Sequence, residues 1–210
     1  MITLNTLEQF LDALASKAPT PGGGSAAAVI GAMGAGLISM VCNVTLGKKG
    51  MEEVTGEMRG VCEQSEALRA RLTAMIADDI AAFDGLMSAY RLPKGTDSEK
   101  AARSAAIQKG LIGATNTPLD CARACAEVIK ISRRAAEHGY SGVISDAGVG
   151  VLAAQTALRS AGLNVQINAP MLEDRAFAAR ASEELENLVA AGARESEAVF
   201  ELVRARLSQG

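Results

Sequence analysis

A carboxylate in the middle of an apolar helical stripe is the sharpest chemical feature of this sequence. At 100° per residue, Leu72, Ile76, Asp79, Phe83, Leu86 and Tyr90 fall on one narrow face, while neighbouring Asp78 points well away. A carboxyl group so placed must be paired, hydrogen-bonded or protonated. Burial also raises a carboxyl pKa toward the range in which one group serves as both base and acid. Position alone leaves two readings open. Asp79 is either catalytic or a structural acid satisfied by a helix end or a partner chain.

Two further groups could work with it. Gly22-Gly23-Gly24-Ser25 precedes a long apolar run. Glycines before a helix let backbone N–H groups approach a ligand, and the helix N-terminus favours an anion. The alternative is a turn with Ser25 as the N-cap. No Lys-Ser/Thr pair follows as a Walker loop requires. Lys48 and Lys49 close the same run. They either complement a helix C-terminus or capture substrate carboxylates. Ser145-Asp146 reads first as an N-cap and second as a site. Asn164 and Asn168 either satisfy local backbone or line a pocket. Gln108 shares a face with Ala101, Ala105 and Ile112, an unusual place for an amide. Asp84 and His138 read as surface residues. One histidine supports neither a nucleophile triad nor a zinc set, so no metal is expected.

These groups must be positioned by helices. A first helix is expected over Leu7–Lys17, with Thr6 and Gln9 in capping-box spacing. Pro19 to Gly24 breaks the chain. A buried helix capped by Ser25 ends at Gly47. A third helix covers Glu52–Tyr90, and Pro93 and Gly95 stop it. Thr96 and Glu99 open a fourth that reaches His138, with a kink or break at Pro118 and Gly139 as its cap. A fifth opens at Ser145-Asp146 and reaches Ala161. Residues 164–170 read as irregular or extended, with Val165-Gln166-Ile167 the one strand-like stretch. The last helix covers Glu173–Leu207. The expected fold is all-α: one domain over residues 1–210, an antiparallel bundle of five to six long helices. The uncharged Gly/Ala helix also suggests a two-fold partner, so a homodimer is expected.

Bulk composition agrees. The 210 residues are 49% hydrophobic but only 3% aromatic, without Trp, which disfavours a β-rich domain. A net charge of −3 without a basic run argues against nucleic acid as a partner. Residues 25–47 carry no charge and are long enough to span a bilayer. Their Ala/Gly content makes a weak insertion signal, so a central, fully buried helix is expected and no membrane. Cys42, Cys62, Cys121 and Cys125 form no CxxC pair; they read as reduced, buried thiols of a cytoplasmic protein.

Pro19-Thr20-Pro21-Gly22-Gly23-Gly24-Ser25-Ala26-Ala27-Ala28 with Gly31-Ala32-Met33-Gly34 resembles the N-terminal signature of the cyclodeaminase part of the formiminotransferase-cyclodeaminase family. Asn43 through Gly47-Lys48-Lys49, Ile76-Ala77-Asp78-Asp79 with Phe83, Arg91-Leu92-Pro93-Lys94, Ser145-Asp146 and Asn164-Val165-Gln166-Ile167-Asn168 resemble its later motifs, in order. Met75–Asp79, Glu99–Arg103 and Asp174–Ala178 look closest to the family's stand-alone bacterial methenyltetrahydrofolate cyclohydrolases. The chain departs from the pattern at Tyr140-Ser141-Gly142 and at Gly50. The resemblance implies an all-helical homodimer that hydrates 5,10-methenyltetrahydrofolate to 10-formyltetrahydrofolate, with the folate as substrate, with or without a polyglutamate tail, and no cofactor. It places the catalytic aspartate at Asp79, which periodicity singles out independently. On this reading Lys49 assists Asp79. Gly23, Gly24, Ser25, Lys48, Phe83, Gln108, Asp146 and Asn168 hold substrate. Ammonia-releasing closure of formiminotetrahydrofolate and non-catalytic folate binding are the alternatives.

Overall fold

The computed structural model of the chain describes Ile2 and residues 5–209. Among these residues there are six α-helices and no strand: α1 Leu7–Leu14, α2 Gly23–Leu46, α3 Thr55–Tyr90, α4 Asp97–His138, α5 Ile144–Asn168 and α6 Arg175–Leu207. α2 packs against α3 and α5, α3 against α4, and α6 closes on α4 and α5. Successive long helices run antiparallel, as the pairs Ser39–Ser65, Leu86–Gly110 and Gly162–Leu185 require. α4 and α6 run parallel, joined by Arg123–Glu184 and Arg133–Glu195.

Both expected capping boxes form. Thr6 and Gln9 exchange bonds at the start of α1, and Thr96 and Glu99 do so at α4. α1 stops at Leu14, short of Lys17, and of its stripe only Phe10 is buried. Pro118 does not break α4, which is one helix of 42 residues. A proline leaves the carbonyl four residues earlier without its N–H partner. That carbonyl, on Ala114, instead accepts the side-chain amide of Asn168 at 2.7 Å. Gly139 caps α4 with an extended backbone, φ −62, not in the left-handed region.

α5 differs most from expectation. It opens at Ile144 after a 3₁₀ turn, so Ser145 lies inside its first turn and makes no cap bond. It continues through the stretch expected to be irregular, as far as Asn168, before a 3₁₀ turn over Ala169–Met171. Leu158, Ala161 and Val165 carry its buried face straight through that region. Asn164 bonds back to the Ser160 carbonyl and so stays within the helix.

α2 is central but not buried all round. It is long and apolar enough to cross a membrane, and just over half of it is packed inside the protein. Its inner face lies on α5 so closely that a Cβ on Gly34 would stand 2.9 Å from the Gly150 carbonyl oxygen. On its outer face Ile30, Leu37 and Met40 are half-buried and Met33 is 61% exposed. α5 continues this surface with Leu152, Leu163 and Ile167 exposed beside it.

Candidate active site

Asp79 sits where α3 passes the first turn of α2. The Ser25 hydroxyl donates to its Oδ2 at 2.7 Å, and Ser25 is fully buried. Ser25 is therefore not the N-cap of α2. Gly22 holds that place, and the serine, three residues on, faces the carboxylate. Gly24 lies directly under the same carboxyl group: a Cβ there would overlap Oδ1 and Cγ. Among the described residues no group donates to Oδ1, and Asp79 is half-buried. Asp78 is exposed on the far side, as periodicity requires.

The carboxylate opens into a cleft of about 380 Å³ between α3, α4 and α5. Phe83, Met87 and Tyr90 line one wall, and Thr117 and Pro118 a second. Asn164, Ile167 and Asn168 line the third. The Asn164 amide lies beside Gly23, 3.9 Å from where a Cβ would stand. The N–H groups of Gly23, Gly24 and Ser25 belong to the open first turn of α2, which has no side-chain cap. Such groups suit an anionic or carbonyl oxygen. The site thus offers a carboxylate, an amide-rich wall, backbone donors and aromatic surface. A larger hollow of about 450 Å³ outside α3 and α4 has only Ser88 and Lys109 as polar lining side chains, too little to direct a reaction. Among the described residues no cluster of three or more His, Cys, Asp or Glu is placed to hold a metal ion.

Asp79, Gly23, Gly24, Ser25, Phe83 and Asn168 therefore come together. Other expected site residues do not join them within one chain. Lys48 and Lys49 lie at the opposite end of α2, about 34 Å from Ser25 along the helix. Both are exposed, and the Lys48 ammonium sits 4.6 Å from the centre of the Tyr140 ring. Asp146, in the first turn of α5, shares that remote end. Gln108 supports the cleft from outside. It donates to the Met171 carbonyl and accepts from the Glu173 N–H, holding the connection that carries Met171. Asn168 lines the cleft, but its amide is spent on Ala114. Thr117 and Tyr90 are cleft residues that the sequence reading did not select as site residues, and Asn164, left open there between local backbone and a pocket, does both: it bonds the Ser160 carbonyl and lines the cleft. Asn164 is one turn from Asn168, so a longer α5 was the signal that would have found it.

Comparison with known proteins places this geometry. Residues 6–187 match the family model described as formiminotransferase-cyclodeaminase. The chain is 56% identical over 203 residues to a methenyltetrahydrofolate cyclohydrolase of Methylorubrum extorquens, covering 97% of this chain and 98% of that protein. It is 33% identical over 95% of its length to the formimidoyltransferase-cyclodeaminase of Sus scrofa, of which it spans 37%. The crystal structure of formiminotetrahydrofolate cyclodeaminase from Thermotoga maritima superposes with a TM-score of 0.84 at 30% identity, covering 100% of this chain and 98% of that one. An all-helical bundle with this carboxylate cleft, matched along nearly its whole length, belongs to the formiminotransferase-cyclodeaminase family.

Proposed function

We propose that the protein is a methenyltetrahydrofolate cyclohydrolase that converts 5,10-methenyltetrahydrofolate and water to 10-formyltetrahydrofolate. The 56% identity to a cyclohydrolase over almost the whole of both chains supports the reaction. The single structural observation that carries the mechanism is Asp79, held by Ser25 through Oδ2 on the wall of the cleft.

The substrate's N5,N10-methenyl bridge is cationic, and a carboxylate attracts it. Asp79 takes a proton from water as the water oxygen bonds to the bridge carbon, giving a neutral tetrahedral adduct. The C–N5 bond then breaks with its electron pair moving to N5, which receives the proton from Asp79. The adduct's hydroxyl proton leaves to solvent as the formyl C=O forms on N10. One proton is released overall. Phe83 packs on a ring of the folate. Asn164 and the N–H groups of Gly23 and Gly24 orient pterin or carboxylate oxygens. The scheme uses no cofactor or metal.

The test is decay of the methenyl chromophore. The protein should accelerate it well beyond the buffer rate, and Asp79→Asn, which keeps the Ser25 hydrogen bond, should lower kcat by at least about 10³-fold with folding intact. A near-normal rate in that variant would remove Asp79 from the mechanism. The relatives that carry cyclodeaminase names favour a second reading, ammonia release from 5-formiminotetrahydrofolate. Ammonia measurement on that substrate separates the two. Saturable binding without turnover of either substrate would leave a folate-binding protein. We also infer a homodimer in the cytoplasm, with a folate and neither nucleic acid nor membrane as its partner. The free cysteines, the net charge of −3 and the apolar outer face of α2 and α5 support this.

A further inference from the structure

We propose that Arg103 and Gln108 of α4 are positioning residues that clamp the mouth of the cleft. They hold Tyr90 and Met171, on its two walls, at the spacing that grips the p-aminobenzoyl-glutamate arm of the folate. The inference rests on the cyclohydrolase reading for the identity of the ligand and goes beyond it in fixing which way the folate lies.

Both ties come from one stretch of α4. The Arg103 guanidinium donates to the Tyr90 carbonyl oxygen from Nε at 3.2 Å and from Nη2 at 3.1 Å. That carbonyl ends α3, where the helix itself offers it no N–H. The same guanidinium stands 5.8 Å from the centre of the Tyr90 ring, so it holds the side chain as well as the backbone. Five residues on, Gln108 donates to the Met171 carbonyl at 3.2 Å and accepts from the Glu173 N–H at 2.8 Å. Both ends of its amide are engaged by the short connection between α5 and α6, so its effect on a ligand passes through Met171. Arg103 and Gln108 are turned roughly 140° from each other around α4. One helix thereby holds α3 on one side and that connection on the other.

The mouth depends on these ties more than the reacting group does. Leu86 and Met87 of the outer wall belong, with Leu111, Ala169 and Leu172, to a small apolar cluster separate from the main core. Asp79 is instead held by Ser25 on turns of α3 and α2 whose Ile76 and Ala28 belong to the main core. A region with few buried contacts opens more readily than a main core. Loosening the clamp therefore leaves the carboxylate in place and costs grip on the substrate.

The cleft also changes in character along its length. α3 and α5 run the same way, each being antiparallel to α2, so both walls lead outward from Gly23 and Gly24. At the inner end stand Asp79, the Asn164 amide and the backbone N–H groups, which match the hydrogen-bonding edge of a pterin. At the outer end Met87, Tyr90 and Met171 offer apolar and aromatic surface, which matches a benzoyl ring. Asp79 and Tyr90 are eleven residues apart on α3, about 16 Å along the helix. The reacting bridge of a folate stands between its pterin and its arm, and the arm is the longer part. With the bridge at Asp79 and the pterin at the amide-rich end, the arm runs out between Tyr90 and Met171.

Two folate fragments test this. p-Aminobenzoylglutamate carries the arm without the pterin, and 6-methyltetrahydropterin carries the pterin without the arm. Calorimetry on the full chain should show both binding to the wild type. Gln108→Met and Arg103→Met each remove one tie and keep side-chain bulk. Each should weaken p-aminobenzoylglutamate about tenfold and leave 6-methyltetrahydropterin within about twofold. In turnover of 5,10-methenyltetrahydrofolate each should raise KM about tenfold with kcat within about twofold, the pattern of lost uniform binding. A general loosening of the fold would weaken both fragments alike and lower kcat. The two ties are separate, so one folded variant is enough for the test. Unchanged arm binding in the variants, equal loss of both fragments, a loss confined to the pterin fragment, or a wild-type protein that does not bind p-aminobenzoylglutamate would each overturn the proposal. A wild-type protein without turnover, whose variants still lose arm binding selectively, would overturn the cyclohydrolase reading and leave the clamp standing.

Discussion

The Ser25 hydroxyl reaches Asp79 over 2.7 Å from the first turn of a neighbouring helix, 54 residues away in sequence. The bond is made at the floor of the cleft, between a fully buried serine and a half-buried carboxylate. A buried hydroxyl and a carboxylate so paired fix which carboxyl oxygen is left for chemistry. Ser25→Ala should cost about 1.5–3 kcal/mol of stability, the usual loss when a hydrogen bond to a charged group is removed. It should also lower kcat about tenfold by freeing the carboxylate to rotate. Urea unfolding and chromophore decay measure the two effects; an unchanged kcat would show that the serine orients nothing.

Gly24 offers a sharper probe of the same carboxylate. Any Cβ at this position displaces the Asp79 carboxyl group. Gly24→Ala should lower kcat at least about 100-fold, since a displacement near 1 Å at the reacting group has that effect. The fold should lose only about 1–3 kcal/mol, because one methyl is added beside a half-open cleft. A fully active Gly24→Ala protein would separate Asp79 geometry from the reaction.

Asn168 and Pro118 form a compensating pair. The proline strips the Ala114 carbonyl of its helical partner, and Asn168 replaces it at 2.7 Å. Asn168→Leu should therefore cost about 1 kcal/mol, the usual net worth of one hydrogen bond to a part-buried carbonyl. Adding Pro118→Ala restores an N–H four residues on and should recover most of that loss. Denaturant curves for the two single variants and the double variant give the coupling directly. Additive effects would mean that the two residues act independently.

Helical spacing located the cleft better than it located the residues around it. Asp79 was legible because one turn of α3 is 3.6 residues and a carboxylate interrupts an otherwise apolar row. The capping boxes at Thr6 and Thr96 were legible because their partners are three residues away. The continuity of α4 through Pro118 was not, because the group that repairs it lies on another helix, 54 residues distant. The same holds for Ser25: a serine before an apolar run is a good N-cap locally, and only the packing of α3 gives its hydroxyl a better partner. Asn164-Val165-Gln166-Ile167-Asn168 alternates polar and apolar residues, a strand-like pattern over five positions. Only the longer row from Leu158 through Val165 shows the helix.

The cysteines should react very unequally. Burial pushes the Cys42 thiol up to about 12, and the neighbouring Cys121 thiol together with burial raises Cys125. Thiolate, not thiol, is the nucleophile, so both should resist alkylation at neutral pH. Cys62 departs from the expectation of a buried thiol. It is half-buried, with its Sγ 3.5 Å from the Asn43 side chain. Its thiol is also raised, by burial and by Glu66 and Glu63. Iodoacetamide should label Cys62 slowly and the other three only on unfolding, with intact mass as the readout. Rapid labelling of Cys42 or Cys125 in the folded protein would contradict this packing.

The α4–α6 seam should make stability depend on acid. Arg123 forks onto Glu184 with two bonds of 2.6 Å, and Arg133 clasps Glu195 in the same way. The paired guanidinium holds each glutamate below its ordinary value of 4.5. A carboxyl group depressed by folding stabilises the native state at pH above its unfolded value. That contribution is lost as pH falls below about 4.5 and through the folded value. Both glutamates remain more than a third exposed, so each pair is worth only about 0.5–1 kcal/mol. Glu184→Gln/Glu195→Gln should therefore unfold more easily than wild type at pH 7. The difference should close as pH falls from 7 into the range below about 4.5, where protonated glutamates in the wild-type chain bind arginine no better than amides do. Urea midpoints across that interval decide the matter. A gap that stays constant down to pH 3 would mean that the two variants lose packing, not ion pairing, along the seam.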